Sequence, residues 1–102
     1  MFSIIIPTFN NLDYLIKCIE SIKKNSKYDH EIIPHVNEGS DGTTEYLKKN
    51  NIDYSFTEHN SGICTGMNMA AKKAKTQYIL YAHDDFYFCP NWDIILKNEV
   101  DK

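Results

Sequence analysis

Two hydrophobic patterns alternate along this chain of 102 residues. Short apolar runs, which are typical of buried strands, are separated by stretches in which apolar residues recur at helical spacing. The runs predict strands at residues 2–6, 31–36, 52–56 and 78–82. The intervening stretches predict helices at residues 12–22 and 43–49, a helix opened by residues 60–62, and a last helix at residues 91–100.

Prolines and asparagines mark several predicted element ends. Pro7 directly follows the first apolar run and is expected to end that strand. Pro34 lies inside the second strand, where its missing N–H predicts a bulge or a locally unpaired position. Asn10 or Asn11 is expected to cap the first helix, because a short polar side chain there accepts a hydrogen bond from a free backbone N–H.

The alternation of strands and helices defines the predicted fold class. Strands that alternate with helices form βαβ units, whose crossovers place the strands parallel in one sheet. Helices cover both faces of such a sheet, and continuous apolar strands fit that arrangement. We therefore predict an α/β domain with three layers, helix–sheet–helix, and a mainly parallel sheet.

Composition narrows the functional class. The net charge is −3, which argues against a general nucleic-acid-binding protein. The sequence contains no Arg, so a bound phosphate would need a metal ion, Lys or backbone donors. Three widely spaced cysteines predict reduced thiols in the cytoplasm. The longest apolar run is too short to span a membrane, and the start lacks the basic region of a signal peptide.

The most informative polar residues are Asp84 and Asp85, which directly follow the fourth apolar run. Two adjacent carboxylates repel each other, and keeping both ionised requires a compensating cation. Mg²⁺ is commonly held by one or two carboxylates together with the phosphates of a substrate. The pair therefore predicts a metal site for a phosphorylated substrate, and the alternative is a solvated turn without a ligand.

Polar residues follow the other three strands as well. In open α/β sheets ligands bind outside the carboxyl ends of the strands, so these positions are expected to share one rim. A phosphoacceptor receiver domain needs carboxylates after the first strand, and a dinucleotide-binding Rossmann domain needs a glycine-rich loop there, so both are discounted. The residues after the four strands are Pro7, Thr8, Phe9 and Asn10; Asn37, Glu38, Gly39 and Ser40; His59, Asn60, Ser61 and Gly62; and His83, Asp84 and Asp85.

These segments resemble the glycosyltransferases of family 2, which have the GT-A fold. The typical sequence motifs of the family are, in order along the chain, Pro-Thr-Tyr-Asn, Val-Asp-Asp-Gly-Ser-x-Asp-Gly-Thr, Asn-x-Gly and Asp-x-Asp. The matching segments are Pro7-Thr8-Phe9-Asn10 with the helix core Cys18-Ile19-Glu20-Ser21-Ile22, the loop Val36-Asn37-Glu38-Gly39-Ser40-Asp41-Gly42-Thr43, the helix segment from Asn60 and Gly62 through Asn68, and the strand end Tyr81-Ala82-His83-Asp84-Asp85.

The resemblance implies a site for a nucleotide-diphosphate sugar. It assigns Asp85 to a metal ion, Mn²⁺ or Mg²⁺, with His83 as a further candidate ligand. A metal at the diphosphate would stabilise the charge that develops on the leaving nucleoside diphosphate. The residues assigned to the donor are Pro7, Thr8 and Asn10 beside the nucleoside, Glu38 against the base, usually uracil, Asn60, Gly62 and Asn68 near the nucleotide, and Asp84 at the ribose or sugar.

The sequence departs from the family pattern at several positions. Asn37 and Glu38 stand where two aspartates are usual, in a loop one residue shorter, which leaves the identity of the base open. His83 occupies the first position of the metal motif and suits Mn²⁺ better than Mg²⁺. Family members are generally longer, and their acceptor site and catalytic base are expected in a part that this chain lacks.

The hypothesis from the sequence is a single domain at residues 1–102, with strand order 3-2-1-4, truncated at its C-terminus. It forms the Rossmann-like nucleotide-sugar-binding half of a GT-A glycosyltransferase. The expected reaction of the whole enzyme is metal-assisted transfer of a sugar from a UDP-linked donor to a glycan, lipid or small acceptor, with little or no transfer by this chain alone.

Two alternatives remain open at this stage. One is a nucleotidyltransferase of similar build, and the other is a non-catalytic interaction module that retains the fold. For location, we expect the cytoplasm or a peripheral position at the inner face of the membrane. We also expect self-association through an aromatic surface at residues 86–92, since exposed apolar surface favours association.

Overall fold

A computed structural model of the chain describes residues 1–101. Its strands form one parallel four-stranded sheet in the order β3-β2-β1-β4, which confirms the predicted fold class and strand order. The elements are β1 (Phe2–Phe9), α1 (Leu12–Asn25), β2 (Glu31–Asn37), α2 (Thr43–Lys49), β3 (Ser55–Thr57), α3 (Ile63–Ala71), β4 (Tyr78–Tyr81) and α4 (Trp92–Val100).

The side chains of β1 alternate between two apolar layers, because successive residues of a strand point to opposite faces. Ile5 packs with Ile33 of β2 and Ala70 of α3 on one face of the sheet. The sheet is thus the middle of three layers, with α3 on one face and the other helices on the opposite face. The buried residues of that second face are Ile4, Ile6, Leu15, Cys18, Ile19, Ile22, Val36, Leu47 and Ala82.

The cap of α1 comes from a distant loop. Asn11 occupies the N-cap position, but its side chain makes no capping hydrogen bond, and Asn10 Oδ1 accepts from the N–H of Ser40 instead. The N–H of Leu12 donates to Asp41 Oδ2 at 3.0 Å. The predicted cap by Asn10 or Asn11 is therefore wrong. Burial raises the pKa of Asp41, but hydrogen bonds outweigh it and lower the pKa, which favours the charged cap.

β1 continues through Pro7 to Phe9, so the prediction that Pro7 ends the strand is wrong. The carbonyl of Ile5 accepts from the N–H of Ala82 at 2.9 Å, which shows that Ile5 and the alternate positions after it face β4. β4 ends at Tyr81, which pairs with Ile5. Pro7 therefore faces the side beyond the end of β4, where a missing N–H breaks no ladder hydrogen bond.

Of the two possibilities predicted at Pro34, a bulge or a locally unpaired position, the structure shows the unpaired position. The register of β1 and β2 runs through the pair Ile6 and Pro34 without a shift. β3 pairs with β2 only from His35 onward, where His35 lies opposite Ser55. Pro34 lies before the stretch that β3 pairs, so the ladder on that side does not require its N–H.

β3 is shorter and begins later than predicted at residues 52–56. The N–H of Ile52 donates to the carbonyl of Leu47 at 2.9 Å and so completes the end of α2. Ile52 and Tyr54 pack against the larger apolar layer before the chain enters the sheet. Only the last part of the predicted strand, Ser55 and Phe56, pairs with β2, together with Thr57.

The edge of the sheet opposite the carboxyl ends is closed by Asp93 of α4, which is fully buried. Its carboxylate accepts hydrogen bonds from the N–H groups of Lys27 and Tyr28, at 3.0 and 2.8 Å, and lies 2.8 Å from His30 Nε2. The N–H of Phe2 donates to His30 Nδ1, which places the ring proton on Nε2, facing Asp93. Burial raises the pKa of Asp93, but these hydrogen bonds outweigh it and lower the pKa below its ordinary value.

Only some of the aromatic residues in the predicted surface at residues 86–92 are exposed. Phe86 and Tyr87 are exposed, whereas Phe88 and Trp92 pack against the larger apolar layer. Self-association through this surface stays a prediction. Among residues 1–101, none of the helices combines the length and the hydrophobicity that crossing a bilayer requires.

Gly66 of α3 approaches β2 so closely that an added Cβ would lie 2.6 Å from Cδ2 of His35. Both ring nitrogens of His35 are hydrogen-bonded, to Ser55 and Thr57, so the ring has no room to move aside. We predict that Gly66→Ala lowers the free energy of unfolding by about 1–3 kcal/mol through overpacking, although Ala is the better helix former. Urea unfolding measures the change.

Thr65→Ala is the matched control, since Thr65 is an exposed neighbour in the same helix. It is expected to change the free energy of unfolding by less than about 0.5 kcal/mol. A Gly66→Ala protein as stable as the wild type would contradict the close packing of α3 on β2.

Candidate functional site

A cleft of about 300 Å³ lies at the carboxyl ends of the strands. Its walls come from the ends of β1, β2 and β4 and from the loop before α3. Because all four strands are parallel, these ends lie on one edge of the sheet, which is where open α/β sheets bind ligands. The lining residues are Pro7, Thr8, Phe9, Asn37, Asn60, Gly62, Ile63, Tyr81, His83 and Asp84.

The structure brings together six of the ten residues that the sequence predicted for the site. The residues in the lining are Pro7, Thr8, Asn60, Gly62, His83 and Asp84. Their meeting in one cleft is a consequence of strand direction, since they come from segments far apart in the chain. The residues outside the lining are Asn10, Glu38, Asn68 and Asp85. The roles assigned to all ten stay predictions.

The four residues outside the lining occupy different surroundings. Glu38 and Asn10 follow β2 and β1 in left-handed backbone conformations, with φ of 70° and 46°. Glu38 is exposed, and Asn10 lines a neighbouring cavity of about 330 Å³. Asn68 is exposed on α3, and Asp85 is exposed directly after Asp84. A left-handed Glu costs about 1–2 kcal/mol relative to the ordinary conformation, so the backbone at Glu38 is held there by its surroundings.

Asp84 and Thr8 connect the ends of β4 and β1. Thr8 is buried, and its Oγ1 donates to Asp84 Oδ2 at 2.8 Å. This hydrogen bond fixes one oxygen of the carboxylate and leaves the other for a ligand hydroxyl. Thr8 and Asp84, which the sequence predicted at the ends of two different strands, are therefore in direct contact.

His83 lies between two aromatic rings at the rim of the cleft. The ring centroids of Tyr81 and Phe86 are 5.0 and 5.1 Å from that of His83, both in edge-on arrangements. The hydroxyl of Tyr81 is 3.4 Å from His83 Nδ1. These contacts orient the imidazole, and its Nε2 makes no hydrogen bond that would occupy it within residues 1–101.

The acidic pair fits a metal ion that arrives with its ligand. In the part of the chain described, residues 1–101, no three His, Cys, Asp or Glu side chains are arranged to hold a metal by themselves. Mg²⁺ and Mn²⁺ accept oxygen ligands, and Mg²⁺ in particular is bound through one or two carboxylates plus substrate phosphates. Asp84 and Asp85 supply carboxylates of that kind, so the residues present fit a cation shared with a diphosphate.

Cys18 lies beneath the acidic pair and shows the electrostatic effect of both carboxylates. Its Sγ lies 3.7 Å from the carbonyl of His83, in the geometry of a weak S–H donor. Burial, followed by the negative charges of Asp84 and Asp85, raises the pKa of the Cys18 thiol to about 12. The thiol is therefore protonated and unreactive at neutral pH, in agreement with a structural role.

Asn37, the last residue of β2, was expected at the rim but was assigned no ligand role, and the structure shows that it lines the cleft and is buried. Its Oδ1 accepts from the N–H and the Oγ of Ser61, both at 3.0 Å, and from Thr57 Oγ1 at 3.2 Å. Its Nδ2 donates to the carbonyl of Thr8 at 3.4 Å. The available signal was a polar residue ending a buried strand, with Thr57 and Ser61 at neighbouring strand ends.

The network continues from Asn37 into the sheet. Thr57 Oγ1 lies 3.2 Å from His35 Nε2, and His35 Nδ1 lies 2.7 Å from Ser55 Oγ. One set of donors satisfies these contacts: Ser55 donates to a neutral His35, His35 to Thr57, and Thr57 to Asn37. Burial lowers the pKa of His35 and so favours the neutral ring of this arrangement.

The lowered pKa of His35 predicts that stability falls on acidification. The unfolded chain binds a proton at His35 near pH 6.5, while the folded protein resists it, so this stability is present above that pH and is lost as the pH falls toward the folded pKa. We expect the free energy of unfolding to decrease between pH 7 and pH 5, measured by urea titration at each pH.

His35→Gln is the control, because it removes the titrating ring and leaves the other three histidines in place. The variant should lose less stability than the wild type over the same interval. Parallel pH profiles for the two proteins would contradict the assignment to His35.

Fold and cleft together define an α/β protein with a ligand-sized cleft at the carboxyl edge of a parallel sheet. The family model described as Glycosyl transferase family 2 matches residues 3–102. The chain therefore belongs to this family, and the resemblance found in its motifs is confirmed.

Two curated relatives and one solved structure illustrate the similarity. The uncharacterized glycosyltransferase RP339 of Rickettsia prowazekii is 36% identical over 93 residues, covering 87% of this chain and 28% of that protein. The poly(ribitol-phosphate) beta-glucosyltransferase of Bacillus spizizenii is 32% identical over 93 residues, covering 83% of this chain and 15% of that protein. S. aureus TarS in complex with UDP superposes with a TM-score of 0.85 at 25% identity, covering 98% of this chain and 32% of that one. The chain thus spans less than a third of the length of each.

Proposed function

We propose that this chain binds a nucleoside-diphosphate sugar, with a UDP-linked sugar as the first candidate, as the donor-binding part of a glycosyltransferase. Family membership and the UDP complex of TarS, a structure similar to this chain, support the proposal. The observation that carries it is the contact between Thr8 and Asp84 in the cleft. These residues come from different strands, and both are assigned to the same ligand by the motifs.

The ends of β1 and β4 contact the nucleoside and the ribose in this proposal. Pro7 and Thr8 lie beside the nucleoside, and Asp84 accepts a hydrogen bond from a ribose or sugar hydroxyl with the oxygen that Thr8 leaves open. Asn60 and Gly62 form the wall on the other side of the cleft. The volume of about 300 Å³ is at the lower end of the range for small-molecule sites, as expected for an open groove.

The residues outside the lining act at the margins of the cleft in this proposal. Glu38 accepts a hydrogen bond from the base, because its exposed carboxylate extends from the end of β2. Asn10, which follows β1, and Asn68, which lies on α3, contact the nucleotide. This arrangement requires the side chain of Glu38 to turn toward the bound base.

Asp85 is the proposed metal ligand, and His83 is the second candidate. A bound Mn²⁺ or Mg²⁺ would act as a Lewis acid on the leaving nucleoside diphosphate. The sequence contains no Arg that could neutralise that charge with a bidentate fork, so a cation held by the acidic pair would neutralise the larger share of it. Metal dependence is therefore part of the proposal.

Sugar transfer is proposed for a whole enzyme, since this chain spans less than a third of the length of its relatives. For the chain itself we propose weak donor binding with little or no transfer. A glycan, a lipid or a small molecule serves as the acceptor in the proposed reaction. We propose this chain as one donor-binding domain over residues 1–102 of the sequence.

Replacing the metal ligand should weaken metal-dependent nucleotide binding. We predict that Asp85→Ala lowers the affinity for UDP in the presence of Mn²⁺ by about tenfold, roughly 1.4 kcal/mol, because a carboxylate ligand of the shared cation is lost. Isothermal titration calorimetry with UDP and Mn²⁺ measures the affinity, and a parallel titration without metal isolates the contribution of the ion.

Asp53→Ala is the matched control, because it removes the same charge from an exposed carboxylate that precedes β3 and pairs with Lys73. UDP should bind to this variant as it binds to the wild type. Equal affinity of the wild type and Asp85→Ala would refute the metal assignment, and no binding by the wild type would refute the proposed function.

The left-handed conformation of Glu38 separates its effects on stability and on binding. We predict that Glu38→Gly raises the free energy of unfolding by up to about 1 kcal/mol, since Gly adopts this conformation without strain. The same variant should lose affinity for UDP, because the proposed contact with the base is removed. Urea unfolding and calorimetry are measured on the same preparation.

Asn51→Gly serves as the control for this change. Asn51 also has a positive φ, of 56°, but lies after α2 and outside the cleft lining. It should gain less stability, since Asn tolerates the left-handed region, and should bind UDP normally. Unchanged UDP affinity in Glu38→Gly would remove Glu38 from the proposed site.

A further inference from the structure

The side chain of Asn37 joins three separate segments at the floor of the cleft. It is 4% exposed and ends β2. It accepts hydrogen bonds from Ser61, in the loop before α3, and from Thr57, at the end of β3, and it donates to the carbonyl of Thr8 in β1. Because Thr8 also donates to Asp84, a continuous path of hydrogen bonds crosses the cleft from one wall to the other.

The orientation of the Asn37 amide follows from its partners. A backbone N–H can only donate, so the group that faces the N–H of Ser61 at 3.0 Å must be the oxygen Oδ1. The carbonyl of Thr8 can only accept, so the group facing it at 3.4 Å must be Nδ2. A side chain with both an acceptor and a donor is therefore required at this position.

A carboxylate would satisfy only part of this arrangement. Asp at position 37 would retain an acceptor for Ser61 and Thr57, but an ionised carboxylate would face the carbonyl of Thr8 without a hydrogen atom between them. The unfavourable contact is therefore the one between two acceptors, the carboxylate and the carbonyl of Thr8. This chain has Asn where the family pattern has Asp, and the uncharged amide of Asn37 can make the hydrogen bonds to all of these partners.

Asn37 is suited to positioning other groups more than to contacting a ligand through its oxygen. Three donors already surround Oδ1, which exceeds the two lone pairs of a carbonyl oxygen. The walls that Asn37 connects carry residues proposed for the donor: Thr8 and Asp84 on one side, and Asn60 and Gly62 on the other.

We propose that Asn37 is a positioning residue of the donor site, and that its neutral amide holds the corner at Ser61 and Gly62 at a fixed separation from Thr8 and Asp84. The inference rests on the proposed donor binding and adds a specific requirement to it. The amide sets the width of the cleft, and replacing it with a charged acceptor separates the two walls.

The test compares Asn37→Asp with the wild type at pH 8. The three donors that surround Oδ1 favour the ionised form of the new carboxyl, which then faces the carbonyl of Thr8 without a donor. The variant should bind UDP, in the presence of Mn²⁺, about tenfold more weakly than the wild type, measured by calorimetry.

The titratable groups that face this position are His35, through Thr57, and Asp84, through Thr8. They are present in both proteins, so the ratio of affinities cancels their own titration. Amide hydrogen exchange at Ser61, measured without ligand at pH 8, gives a second readout. Its protection should fall about tenfold in Asn37→Asp, because the acceptor of its N–H is displaced.

Asn25→Asp is the matched control. Asn25 lies at the end of α1, and its Nδ2 donates to the carbonyl of Phe88 at 2.7 Å, so the variant loses the same kind of hydrogen bond outside the cleft. It should destabilise the protein, as seen in urea unfolding, while UDP affinity and the protection of Ser61 stay at wild-type values.

The outcomes separate this inference from the proposed function. If the wild type does not bind UDP, both are overturned. If the wild type binds and Asn37→Asp binds equally well at pH 8, only the positioning role is overturned. Unchanged protection of the Ser61 N–H in Asn37→Asp would also overturn it, because the two walls would then not have separated.

Discussion

The pairing of β1 with a parallel strand on each side is the constraint on which the rest of the structure depends. β2 follows β1 from Ser3 to Phe9, and β4 follows it over the first part of that length. Parallel pairing forces every strand to end at the same edge, so the polar residues that follow the strands must meet there. Because successive residues of a strand point to opposite faces, β1 also sends its side chains alternately into the two apolar layers. The position of the cleft and the division of the core are therefore both organised around β1.

Much of the fold was predictable because it is encoded in local periodicity. The strands and helices, their alternation and the parallel sheet follow from the spacing of apolar residues. What periodicity does not show is the direction in which each backbone N–H points. Pro7 was therefore misjudged, and at Pro34 the sequence left a bulge and an unpaired position open. Each proline faces a side where the neighbouring strand does not pair with it, so at Pro34 the unpaired position is the one found. The cap of α1 was missed for a related reason. Asp41 accepts a hydrogen bond from the N–H of Leu12, but the two residues are distant in sequence.

The residues at the rim of the candidate site were predictable, but the buried hydrogen bonds beneath them were not. Residues after the strands were recognised from their polarity and from the family motifs, and most of them line the cleft. The contacts of Asn37 were missed because its partners Thr8, Thr57 and Ser61 are separated from it by 29, 20 and 24 positions. Its importance arises only when the strands are aligned in register. Polarity after a strand thus indicates which residues lie near the rim, while the register of the strands determines which of these residues are buried.

The buried carboxylate of Asp93 has a consequence for how this domain is synthesised. One imidazole, that of His30, lies between the backbone of Phe2 and this carboxylate, so the first strand and the last helix share it. Until Asp93 has left the ribosome, the N–H groups of Lys27 and Tyr28 lack the acceptor that they have in the folded protein. The four strands and the residues that line the cleft thus precede, in order of synthesis, the helix that supplies the acceptor at the opposite edge of the sheet.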